Sequence, residues 1–142
     1  MGNRAVITNK KKKIGIYLHW NGGRDSVEAF LLYCKLKGVR DLYSDPEYGF
    51  ARMCQIIGNF FGGTTSIGIG LYEELDTDNY DNGVYVIDEN WNIVERLFHK
   101  GEEQRNNDLF TMLREINNSQ PEGEKLGDEI LNQGIAKEND VE

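Results

Sequence analysis

Apolar residues alternate with small or polar ones at Ile14, Ile16, Leu18 and Trp20. This period of two predicts a strand over residues 14–20 with one apolar face. A preceding strand is predicted over residues 4–8, joined to it by a turn that holds Lys10, Lys11, Lys12 and Lys13. After Asn21, Gly22 and Gly23 the period lengthens to that of a helix. Val27, Phe30, Leu31 and Cys34 fall on one face, Asp25 and Glu28 have the spacing of a capping box, and Gly38 supplies the stop. A second helix is predicted from Ser44, Asp45 and Pro46 through Phe50, Met53 and Ile57 to Gly62 and Gly63. Its interior Gly58 predicts close packing against another backbone, because glycine there costs about 1 kcal/mol relative to alanine.

The period returns to two where Ile67, Ile69 and Leu71 face away from Gly68 and Gly70. Two glycines on one face of a strand predict a neighbouring element lying close over the sheet, most simply a helix. Asn82 and Gly83 then introduce a strand over residues 84–87, and a turn at Glu89 and Asn90 leads to a last strand over 93–98. Leu109, Met112, Leu113 and Ile116 form the stripe of a third helix over 107–117. The predicted order is β-β-α-α-β-β-β-α, an α+β domain with a largely antiparallel sheet over residues 1–118. Residues 119–142 read as an acidic tail, disordered unless bound. Their apolar positions, such as Leu126, Ile130 and Ile135, are too few to offset the entropy of ordering.

Charge sharpens this outline. The 142 residues carry a net −8, but residues 1–40 hold nine Lys or Arg against two acids, while residues 41–100 hold three against eleven and residues 101–142 four against eleven. A segregated chain can present surfaces of both signs. The acids at Glu73, Glu74, Asp76, Asp78 and Asp81 form the densest group and are the candidate partner-binding residues. No apolar run approaches the ~20 residues of a membrane span, and no apolar leader follows Met1, so a cytoplasmic protein is expected. Cys34 and Cys54 read as free, buried thiols.

Candidate chemistry is sparse. Asp78, Tyr80, Asn82, Gly83 and Glu89 have the spacing of a calcium loop, but Tyr80 stands where an oxygen ligand is needed and a strand follows where a helix should. The junction at Trp20, Asn21 and Arg24 offers an aromatic face and a guanidinium at a helix start, an alternative site for a nucleotide-type ligand, although neither GxGxxG nor GK[ST] spacing is present. No nucleophile–base arrangement is legible and no motif asks for a cofactor, which points to binding rather than catalysis. Four lysines without interleaved aromatics do not predict direct nucleic-acid binding.

Through GNRAVIT at 2–8, IYLHWNGGRDSVEAFL at 16–31, ARMCQIIGNFFGG at 51–63 and DNYDNGVYV at 78–86, the chain resembles small proteins encoded by bacterial prophages and other mobile elements. The resemblance spans residues 1–118 and transfers no catalytic residue. It implies a counter-defence setting in the host cytoplasm, with a host defence protein or nuclease as partner. The expectation is an inhibitor that docks an acidic surface on a nucleic-acid-binding groove, in the manner of anti-CRISPR or anti-restriction proteins. The alternative expectation is a protein that sequesters a nucleotide-derived ligand or immune signal.

Overall fold

The computed structural model describes the backbone of residues 2–141 and the side chains of residues 2–134. It is an α+β fold with a five-stranded sheet and four helices: β1 (Ala5–Asn9), β2 (Ile14–Leu18), α1 (Arg24–Lys37), α2 (Pro46–Phe60), β3 (Ile67–Leu71), β4 (Val84–Ile87), β5 (Ile93–Leu97), α3 (Leu109–Asn118) and α4 (Asp128–Val141). Among the described residues no helix is long and apolar enough to cross a membrane.

The strands lie in the order β3-β2-β1-β4-β5. The β1–β2, β2–β3 and β4–β5 pairs are antiparallel, as expected, whereas β1 and β4 are parallel, so the sheet is mixed. The cause is the connection after β3. A 3₁₀ turn at Tyr72–Glu74 sends the chain back along the sheet, so that β4 enters at the end where β1 also begins. The predicted eight-element order is followed by a further helix, α4.

Both faces of the central strands are covered. On the helix side Ala5, Ile7, Ile16, Leu18, Tyr85 and Ile87 share a core with Phe30, Tyr33 and Cys34 of α1, Met53 and Ile57 of α2, and Leu113 and Ile116 of α3. On the other side Val6, Val84 and Val86 are buried under Tyr17, Tyr72, Leu75 and Leu97. The glycines of β3 and α2 are not packed as the sequence predicts. The neighbour lying over the sheet is Leu75 of the returning connection, 3.5 Å from a Cβ built on Gly70 and 2.8 Å from one on Gly15, while Gly68 has nothing within 4 Å. Gly58 likewise has no neighbour within 4 Å, so close packing does not account for it.

Helix starts also differ in detail. Gly23 caps α1 without a side-chain bond, and the expected capping box is absent. Asp25 instead accepts from the Asn106 and Asn107 N–H groups at 2.7 and 2.9 Å, while Glu28 pairs with Arg24. Gly38 closes α1 in the left-handed region as expected. Asp108 caps α3 by accepting from the Thr111 N–H at 3.0 Å.

Beyond residue 118 the chain makes contacts with the domain that its composition does not announce. The buried Gln120 amide donates to the Ile56 and Ile116 carbonyls at 3.0 and 3.1 Å, and Leu131 of α4 is buried in the main core. The side chain of Ile135 lies outside the described residues.

Candidate functional site

The register fixes which loops share an end of the sheet. Ala5 pairs with Leu18, Val6 with Val84, Val84 with Leu97 and Leu18 with Ile67. Residues 2–4, 19–23, 79–83 and 98–104 therefore emerge together. The lysine turn, Glu73 and Glu74 belong to the opposite end, where the Tyr72 N–H donates to the Lys13 carbonyl at 2.8 Å and Lys12 pairs with Glu95 at 3.4 Å.

The five candidate acids are consequently divided. Glu73 and Glu74 are exposed beside the lysine turn, whereas the chain through Asp76 and Asp78 crosses the sheet and brings Asp81 to the other end, which a five-residue strand sets about 17 Å from the lysine turn. They are also unequally free. Asp81 accepts from both the N–H and Nε of Arg4, at 3.1 and 2.8 Å, and Asp76 lies 3.8 Å from the same guanidinium. Burial alone would raise the Asp81 carboxyl, but the Arg4 hydrogen bonds and charge hold it below the ordinary aspartate value. Asp78 faces Lys100 at 3.8 Å with both side chains more than half exposed, a pair of little energetic consequence.

What the loop end does concentrate is exposed aromatic surface. Tyr80 is 77% exposed, Phe98 48% and Trp20 44%. Tyr80 and Phe98 also hold left-handed backbones, φ 65° and 58°, and Asn21 beside Trp20 has φ 56°. A tyrosine in that region is strained by about 1–2 kcal/mol, so the surroundings must enforce it. They do so through Asn79, only 1% exposed. Its Oδ1 accepts from the Asp81 and Gly83 N–H groups at 3.2 and 3.0 Å, and its Nδ2 donates to the Asp76 carbonyl at 2.9 Å. The next turn is tied down as well: Asn82 Nδ2 donates to Asn3 Oδ1 at 2.6 Å, and Asn3 Nδ2 donates to Gln104 Oε1 at 3.0 Å. The sequence marks this stretch for its acids and gives no weight to Tyr80 as an exposed, conformationally held aromatic. The available signal was an aromatic residue set among the turn-forming Asn79, Asp81, Asn82 and Gly83.

The alternative ligand residues do not converge. Trp20 packs edge-on against His19 at 5.0 Å, and Asn21 Nδ2 donates to Ser26 Oγ at 3.3 Å, closing the turn. Arg24 alone borders a cleft of about 320 Å³, together with Glu28, Lys35, Arg105, Trp91 and an apolar floor that includes Leu31 and Leu109. Its guanidinium is engaged by Glu28 at 2.6 Å and Glu103 at 2.8 Å. Arg105 is held only loosely, 3.7 Å from Glu28. Lys35, eleven residues beyond Arg24, sits about 16 Å along the helix. Cations thus stand toward both ends of a half-apolar cleft.

The residues with calcium-loop spacing are separated by β4, which lies between Gly83 and Glu89, and Asn82 is engaged with Asn3. Among the described residues no cluster of three or more His, Cys, Asp or Glu is placed to hold a metal ion. Cys34 and Cys54 are free thiols, and burial pushes the pKa of Cys34 upward. No family model, curated protein or solved structure matches the chain.

Proposed function

We propose that this is a binding protein whose loop end, centred on Tyr80 and flanked by Asp76, Asp78 and Asp81, docks on a basic surface of a partner protein. The observation that carries this reading is a tyrosine three-quarters exposed and held in a strained backbone by a buried asparagine. Strain maintained by over-determined surroundings concentrates at functional positions, and exposed tyrosines are preferred interface anchors. Of the neighbouring carboxylates, the exposed Asp76 and Asp78 suit a nucleic-acid-binding groove, while Asp81 is held by Arg4. With the resemblance to mobile-element proteins, the partner class is a host defence nuclease and the function is counter-defence inhibition. Glu73 and Glu74, at the opposite end, are peripheral to this contact.

Competition measures it directly. Purified candidate nucleases are incubated with labelled duplex DNA and increasing amounts of the protein. Displacement of DNA that weakens with salt, and that requires at least tenfold more of a Tyr80→Ala variant, is the expected result. Displacement that ignores both salt and Tyr80 excludes this contact.

A second reading, sequestration of a nucleotide-type ligand, is favoured by the cleft beside Arg24. Its volume is in the range of small-molecule sites, and Lys35 and Arg105 could take anionic groups while Leu31 and Leu109 receive an apolar body. Arg105→Ala and Lys35→Ala are the informative variants, because Arg24 also holds Glu28 and Glu103. A nucleotide present at 100 times its Kd would stabilise the protein by about 2.7 kcal/mol. Equal stabilisation of both variants places the ligand elsewhere.

A further inference from the structure

β3 is one of the two edges of the sheet, and it lacks the charges, prolines and bulges that usually protect an edge. Residues 64–72 contain no charge and no proline, and the β2–β3 register runs without a bulge. The direction of its free hydrogen-bonding groups follows from that register. The His19 N–H donates to the Ser66 carbonyl and the Tyr72 N–H donates to the Lys13 carbonyl, so residues 66, 68, 70 and 72 point their backbone groups toward β2. The N–H and C=O groups of Ile67, Ile69 and Leu71 point outward. Their side chains lie on the helix side of the sheet, where Ile69 is 54% and Leu71 50% exposed.

We propose that the occupant of this edge is a second copy of the chain, paired antiparallel through β3 about a two-fold axis at Ile69. In that register Ile69 faces Ile69 of the second copy and Ile67 faces its Leu71. All three outward residues exchange backbone hydrogen bonds, and their side chains form one apolar row. Sliding the pairing by two residues sets Leu71 against Thr65, or Glu73 against Ile67, so the register centred on Ile69 alone matches every outward apolar side chain with another. Charge opposes self-pairing least at this place. Copies with a net charge of −8 repel over most approaches, but β3 and its flanks are uncharged, and the 3₁₀ turn at Tyr72–Glu74 takes both glutamates off the edge. The product is a continuous ten-stranded sheet, an isologous dimer that leaves the Tyr80 loop outside the contact.

Light scattering behind size exclusion, from about 5 µM to about 200 µM, covers the range of an edge-strand dimer. The mass is expected to rise from 16.3 kDa toward twice that value. Ile69→Lys is expected to remain monomeric while its unfolding midpoint stays at the value of the wild-type monomer. Amide exchange supplies a readout that needs no variant: the Ile67, Ile69 and Leu71 N–H groups should gain protection with concentration, while those of Gly68 and Gly70 stay protected throughout. A wild-type monomer over the whole range overturns the proposal. So does a dimer that survives Ile69→Lys or forms without protecting the three outward amides.

Discussion

Leu75 stands over Gly15 so closely that a Cβ at Gly15 would lie 2.8 Å from its Cδ1. This contact seats the returning connection on the sheet, and its energetics can be separated by a double-mutant cycle. Gly15→Ala is expected to cost about 1–3 kcal/mol as overpacking. In a Leu75→Ala background the same substitution should cost at least about 1 kcal/mol less, since neighbours in contact couple by such amounts. Gly68→Ala is the control. It meets open space, and alanine is favoured over glycine in a strand, so it should stabilise by about 0.5–1 kcal/mol. Urea denaturation of the five proteins checks all three statements, and an uncoupled cycle would place the constraint at Val6 rather than Leu75.

The same connection marks where the sequence stops being readable. The strands and helices up to Leu97 follow from local periodicity, which needs no knowledge of neighbours. The parallel β1–β4 pair does not, because its direction depends on the path of residues 72–83 across the sheet. The candidate acids fail for a related reason. Glu73 and Asp81 are eight residues apart in sequence, but the chain crosses the sheet between them, and Arg4 from the other end of the domain's sequence neutralises the second. Arg24 was legible as a helix-start cation, yet its partners Glu28 and Glu103 could not be inferred together, since one is local and the other distant.

A buried hydrogen bond ties α1 to α3 and to the chain beyond it. The Tyr33 hydroxyl donates to Asn117 Oδ1 at 2.6 Å, and Asn117 also accepts from the Leu126 N–H at 2.7 Å and donates to the Leu126 carbonyl at 2.9 Å. Burial pushes the Tyr33 phenol up to about 12, so it remains a donor throughout the working pH range. Tyr33→Phe removes one bond and should cost about 1 kcal/mol. Asn117→Ala strands three polar groups and should cost about 2–4 kcal/mol, with earlier proteolysis after residue 118. Equal destabilisation by the two variants would mean that Leu126 is not held through Asn117.

Glu103 links two arginines from different elements, Arg24 of α1 and Arg96 of β5, and Arg96 in turn lies 3.8 Å from the centre of the Tyr85 ring. Burial alone would raise its carboxyl, but the hydrogen bonds and charges of the two arginines outweigh burial and hold it below the ordinary glutamate value. A depressed folded pKa contributes stability that is fully present above the unfolded value of about 4.3 and is lost as pH falls through the folded value. Glu103→Gln should therefore be less stable than wild type by about 2 kcal/mol near neutrality. The gap should narrow on acidification below about pH 4.3. Thermal melts across that range test the sign, and a gap that widens toward acid would contradict the assignment.

Tyr80 offers a test in which stability and binding move in opposite directions. At φ 65° its backbone is strained, and glycine relieves a cost of about 1–2 kcal/mol while adding about 0.5–1 kcal/mol of unfolded-state entropy. The ring's 6.0 Å contact with the Lys100 ammonium contributes little at such exposure. Tyr80→Gly should thus unfold at higher denaturant than wild type, by the equivalent of about 0.5–1 kcal/mol. If the ring is the anchor, the same variant should displace DNA from the partner nuclease at least tenfold less effectively, a loss of about 1.4 kcal/mol or more. Asn79→Ala supplies the contrast: it leaves the ring but removes the bonds that hold its backbone, and should lose stability and affinity together. A Tyr80→Gly protein that is both stabler and fully competitive would remove Tyr80 from the interface and leave its strain without a binding role.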